Sequence, residues 1–146
     1  MSEILITLLS ALMGTLGFSL LFGMRPKHLP WALIGGGVAC GVYVLTLSLG
    51  PFLCNAIASL VLMLYCELVA RVQKAPVVCF FAASVVVLVP GSGLYYTIAS
   101  LLQQQYAAAW EFGGRTLAIC LGIVAGVLVG SVAVYGLCKS FHLHRH

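Results

Sequence analysis

A chain of 146 residues that is 62% hydrophobic and 7% charged, with a mean hydropathy of +1.14, cannot cover itself with polar surface in water. Soluble domains carry about 25% charged residues, so the composition excludes one and points to an all-α integral membrane protein. The net charge of +4 is then a topology signal, not a nucleic-acid footprint, because the basic residues sit in short loops without interleaved aromatics.

The first apolar run, residues 4–24, is long enough for a span of about 20 residues. It lacks the basic leader and Ala-x-Ala site of a cleaved signal. It stops at Arg25-Pro26-Lys27-His28-Leu29-Pro30. The second span, 31–49, opens on Trp31, an aromatic at the interface, and ends at the Gly50-Pro51 turn. The third, 52–70, is closed by Arg71-Val72-Gln73-Lys74-Ala75-Pro76. The fourth, 77–102, is followed by Gln103-Gln104-Gln105 and an interfacial extension to Trp110. Glu111-Phe112-Gly113-Gly114-Arg115 reads as the next loop, 116–138 as the fifth span, and Lys139 to His146 as a polar tail. The whole chain is thus one transmembrane module without a linker or a convincing internal repeat.

Charge placement orients the five spans. Six of the seven basic residues, Arg25, Lys27, Arg71, Lys74, Lys139 and Arg145, fall on one side, and only Arg115 falls on the other. Lys and Arg are in excess in cytoplasmic loops, which puts the N-terminus outside and the C-terminus inside. A four-span arrangement with a re-entrant hairpin would spoil that split. The location expected is the inner or plasma membrane.

The fourth span is interrupted by Pro90-Gly91-Ser92-Gly93. Pro90 has no N–H and its ring clashes with the preceding turn, while the glycines open further backbone angles. A helix from Val77 should break near Pro90 and restart near Ser92, a fair N-cap. The restart would present unpaired N–H groups and a positive dipole end near the membrane midplane. Broken helices of this kind face anionic substrates in secondary transporters; the plainer reading is a structural kink. If the break is functional, the N–H groups of Ser92 to Leu94 and the Ser92 hydroxyl meet a substrate carboxylate, and Tyr95 and Tyr96, with Thr97, add hydroxyls. No Lys or Arg lies within the fourth span to share that task.

Ala118, Gly122, Gly126 and Gly130 recur every fourth residue in the fifth span, and Gly37 and Gly41 do so in the second. Small residues at this spacing let helix backbones approach, either as static packing or as a sliding face. Glu67 is the only acidic residue inside a span. With Arg71 four residues on, it is either an interfacial ion pair or a coupling carboxylate. Asn55 and Ser59 share a face and either line a pathway or hydrogen-bond to a neighbouring helix. Cys40, Cys54, Cys66, Cys79, Cys120 and Cys138 form no Cys-x-x-Cys pair and read as small apolar fillers. His142, His144 and His146 alternate in the tail; a solvated tail is favoured over a metal tract, and no metal or cofactor is expected. The chain has no Asp, its three glutamates are scattered, and no serine or cysteine has a nearby histidine in an apolar span, which argues against an enzyme.

Phe22-Gly23-Met24-Arg25-Pro26-Lys27-His28-Leu29-Pro30-Trp31 leading into a glycine-rich span, and Val89-Pro90-Gly91-Ser92-Gly93-Leu94-Tyr95-Tyr96, resemble the small, C-terminal-type module of the threonine/serine exporter family. The resemblance implies a subunit that exports small carboxylate-bearing metabolites, threonine and serine or a dicarboxylate such as succinate. It also implies a larger membrane subunit as partner, with homo-oligomerisation a further possibility. The alternative is a membrane scaffold that docks a partner through its glycine faces without transporting.

Overall fold

The structure, a computed structural model, describes residues 2–143, with side chains over 5–136. Six α-helices follow one another: α1 (Ser2–Leu21), α2 (Leu29–Leu45), α3 (Pro51–Gln73), α4 (Val77–Val85), α5 (Gly91–Leu102) and α6 (Tyr106–Leu143). Single 3₁₀ turns occupy Pro26–His28, Leu47–Leu49 and Val86–Leu88. Among the described residues there is no strand. Cys138, His142, His144 and His146 lie outside the described side chains.

The helix ends follow local chemistry. Gly23, at φ +63°, lets the chain leave α1, and Pro30 lies in the first turn of α2, where its missing N–H costs nothing. Gly50, at φ +90°, turns the chain into α3, which Pro51 opens. α3 stops at Lys74 in the left-handed region, with the Ala75 N–H donating to the Ala70 carbonyl at 3.1 Å.

Three stretches are long and apolar enough to cross a membrane: Pro26–Leu45, Pro51–Gln73 and Tyr106–Gly136. Val77–Leu88 and Gly91–Leu102, bent by 50° at the break, make a fourth if they count as one crossing. The described part of α1, Leu5–Leu21, is a shorter apolar helix.

The core lies where α2, α3 and α4 meet, around Ala39, Ala58, Leu62, Cys66 and Phe80. Two hydrogen bonds tie its helices together. The Tyr65 hydroxyl donates to the Trp31 carbonyl at 2.8 Å, and the Ser84 hydroxyl to the Ala32 carbonyl at 3.0 Å. α6 runs along α3 in the same direction. A Cβ at Gly122 would meet the Phe52 carbonyl oxygen, one at Gly126 the Ala56 carbonyl oxygen and Ser59 Oγ, and one at Gly130 the Met63 side chain. Ala118 is half-buried one turn earlier. The residues of α6 ahead of Gly122 extend past the start of α3 and pair with α5 instead, antiparallel, Gly93 beside Thr116 and Thr97 beside Gly113.

Three sequence expectations shift. Glu111–Arg115 is not a loop, because α6 runs through it unbroken. The reversal sits earlier, at Gln103–Gln105, where Gln104 takes φ +58°, and Gly113 and Gly114 stay helical beside α5. Ser92 is not the N-cap of α5; Pro90 holds that position and Ser92 lies inside the first turn. In α2 the close approaches fall on Gly35 and Gly36, against Ser84 and Thr15, and not on the Gly37 and Gly41 pair. Gly37 has only ordinary contact with Leu12 at 3.8 Å, and Gly41 has open space where a Cβ would stand.

Candidate functional site

At the break, Val89 is extended and Pro90 has φ −79°, ψ 60°, an inverse γ-turn. That turn closes with the Gly91 N–H donating to the Val89 carbonyl at 2.8 Å. The Leu94 N–H is already used in the first bond of α5, to the Pro90 carbonyl at 3.1 Å. The first four N–H positions of a helix have no intrahelical partner. Pro90 has no N–H and Gly91 is satisfied, so the open donors are Ser92 and Gly93. The expectation that donation extends to Leu94 is therefore corrected: two adjacent amides, not three, remain open.

These two residues border a cavity of about 450 Å³, with Pro90, Tyr96, Asn55 and Arg115 also in its wall. Its size suits a small-metabolite pocket. Gly93 is a glycine for a steric reason here, because a Cβ would strike the Thr116 hydroxyl of α6. Thr116 Oγ1 itself donates back to the Phe112 carbonyl at 2.8 Å. Tyr96 stands over Phe112, ring centroids 5.6 Å apart, and Tyr95 meets Tyr96 edge-on at 5.4 Å.

Asn55 enters from the first turns of α3 and is 1% exposed. Its Nδ2 donates to the Pro51 carbonyl at 2.8 Å, which fixes the amide orientation, and its Oδ1 is buried without a partner. A buried, unpaired acceptor is costly, and Asn55 is one of the residues lining the cavity. Arg115 supplies a fixed positive charge, and among the described residues no carboxylate pairs with it. The cavity thus joins a guanidinium and two amides, which favour an anion, with one acceptor that needs a donor.

Of the residues singled out from sequence, Pro90, Ser92, Gly93, Tyr96 and Asn55 come together at this cavity, whereas Gly91, Leu94 and Tyr95 do not line it. Ser59 lies deeper in the α3–α6 seam, with its hydroxyl 3.2 Å from both the Ala56 and Ile123 carbonyls. Glu67 lies away from the cavity with its carboxylate 3.9 Å from the Arg71 guanidinium. Arg115 was absent from the sequence-derived site. The signal for it was its isolation from the other six basic residues in the expected charge split. Among the described residues no group of three or more His, Cys, Asp or Glu could hold a metal ion.

A family model described as "Threonine/Serine exporter, ThrE" matches residues 7–133. No curated protein and no solved structure matches the chain.

Proposed function

The chain belongs to the threonine/serine exporter ThrE family, and from that premise we propose that it is the small subunit of a secondary exporter whose substrate binds at the α4–α5 break. The observation that carries this reading is the cavity in which the Ser92 and Gly93 amides, Arg115 and the Asn55 acceptor converge. A helix N-terminus contributes roughly half an elementary charge. A guanidinium adds a planar fork suited to carboxylate. Together they hold the substrate carboxylate by non-covalent contacts alone, and no catalytic step is involved.

Asn55 Oδ1 discriminates between the two substrate classes. Threonine and serine carry an ammonium and a hydroxyl, either of which donates to it. A dicarboxylate such as succinate is acceptor-only at neutral pH and leaves the atom unpaired. The reading therefore favours the amino acids.

The five-span order, N-terminus outside and C-terminus inside in the cell membrane, belongs to the same proposal. It requires α3 and α6 to run in the same direction, and the matching of Gly122 with Phe52 and of Gly130 with Met63 supports this. Arg115 then lies on the outer side, so the cavity is read as outward-facing. A larger membrane subunit completes the exporter. Leu94, Tyr95, Ile98 and Leu102 of α5 are all about half exposed or more and leave an apolar face on which that subunit would fit.

The test is efflux of preloaded radiolabelled threonine and succinate from cells co-expressing the larger subunit. Pro90→Ala with Gly91→Ala should heal the helix and withdraw the open amides, and Arg115→Gln should remove the charge. Loss of one charge-assisted contact is worth about 1.5–3 kcal/mol, so each variant should lower threonine efflux by about tenfold or more at equal membrane level. Wild-type efflux from both variants would overturn the assignment of the break as the substrate site.

A further inference from the structure

At the opposite end of the bundle a second cavity, about 600 Å³, opens between the α1–α2 and α3–α4 connections. We propose that it binds the phosphate of an anionic phospholipid headgroup. Arg25, Lys27 and Lys74 border it, and among the described residues none of the three has a carboxylate partner. Three uncompensated cations around one cavity make an anion the complementary ligand, and the ends of membrane helices are where lipid phosphates lie.

Two further observations point inward. His28 lines the cavity and is 8% exposed, its ring held edge-on by Phe80 at 5.5 Å, yet its Nδ1 is buried with no hydrogen-bond partner. Once the ring turns enough to bring that nitrogen to the cavity, a phosphate oxygen would satisfy it as its N–H tautomer. Lys74 takes the left-handed conformation, φ +49°, that ends α3. Glycine fits this backbone better, so the lysine side chain beside the cavity can be removed there without straining the fold.

A phosphate could also come from a free, water-soluble ion. The rest of the wall favours the lipid, because Phe22 and Val78 are large, apolar and exposed at its edge, and Ala82 continues the apolar surface along α4. An acyl chain can follow those side chains while the headgroup meets the cations. The inference goes beyond the export reading and does not need it, since it requires only that the chain lie in a bilayer.

The experiment uses the full chain in neutral detergent and measures thermal melting and lipid retained in native mass spectra. The additions are phosphatidylglycerol, phosphatidylcholine, or water-soluble glycerophosphoglycerol at matched concentration. The expected result is a rise in Tm with phosphatidylglycerol alone, falling as salt is raised. That rise should shrink at least threefold in Arg25→Gln/Lys27→Gln/Lys74→Gln. Lys74→Gly guards against a misfolded triple variant: it should melt higher than wild type without lipid and yet gain at least half less from phosphatidylglycerol. Equal shifts with the two lipids, or an undiminished gain in both variants, would overturn the site. A shift with glycerophosphoglycerol as large as with phosphatidylglycerol would overturn the lipid assignment in favour of a free phosphate.

Discussion

Helix α6 makes two contacts of opposite character. Along its middle it lies on α3 through Gly122, Gly126 and Gly130, so closely that added Cβ atoms would meet backbone carbonyls or the Met63 side chain. Nearer its N-terminus it lies on α5, where Gly93 admits Thr116 just as closely, yet a cavity of about 450 Å³ remains beside the contact. The first contact is continuous because α3 and α6 are both unbroken helices whose backbone groups are satisfied internally. The second is not, because α5 begins there and brings two open amides. Close approach by small residues thus serves both packing and access, and what separates them is whether a helix terminus falls in the contact.

That contrast predicts the largest effect at the closed seam. Gly126→Leu would drive a branched side chain into the Ala56 carbonyl and Ser59 Oγ. Inserting bulk where only side chains must yield costs about 1–3 kcal/mol, and here backbone must move as well, so the cost should sit at or above the top of that range. The expected outcome is loss of the monodisperse peak in detergent size-exclusion chromatography. A folded Gly126→Leu protein would break the distinction between the two contacts.

An intermediate effect is expected at the open contact, where substrate and not fold should respond. Asn55→Leu removes the orphan acceptor at similar volume and gives up one hydrogen bond, Nδ2 to the Pro51 carbonyl. A net hydrogen bond is worth about 0.5–1.5 kcal/mol, and relief of the unpaired Oδ1 offsets it, so melting should change by less than about that amount. Threonine efflux should fall about fivefold or more while succinate efflux is unchanged, which sharpens the contrast between a seam that sets stability and a cavity that sets selectivity. An equal fall for both substrates would remove Asn55 from the discrimination.

The elements most legible in sequence were those fixed by local backbone chemistry. Pro90-Gly91 broke the fourth segment because proline cannot continue a helix, and the four-residue recurrence of Gly122, Gly126 and Gly130 marked the face that lies on α3, while Ala118 falls beyond its start. What was not legible depended on neighbours. Gly113-Gly114 looks like a loop because glycine disfavours a helix interior, yet α6 runs through both, with Gly113 in contact with Thr97 of α5. Arg115 looked like a topology marker because its partner surface, the first turn of α5, is more than twenty positions away in sequence. Gly35-Gly36-Gly37 and Gly41 offer several registers on α2, and only the positions of Thr15 and Ser84 select Gly35 and Gly36.

The smallest effect tests that selection within a single helix. Gly41 lies in α2 with no atom within 4 Å of where a Cβ would stand, so alanine there meets nothing. Glycine in a helix interior is about 0.8–1.0 kcal/mol less favourable than alanine, although a helix held in lipid has less unfolded freedom to lose, so the gain should be a fraction of that. Gly41→Ala should therefore melt at or slightly above wild type. Gly36→Ala, whose Cβ would strike the Thr15 hydroxyl, should melt below it. The Thr15 side chain resists moving aside, because its Oγ1 donates to the Ala11 carbonyl at 2.9 Å and the residue is fully buried. The two substitutions are chemically identical and lie on the same helix, so intrinsic propensity cancels between them and only the neighbour differs. Equal melting temperatures would mean that α1 and α2 separate easily at Gly36, and the close approach would then be particular to the α6 contacts.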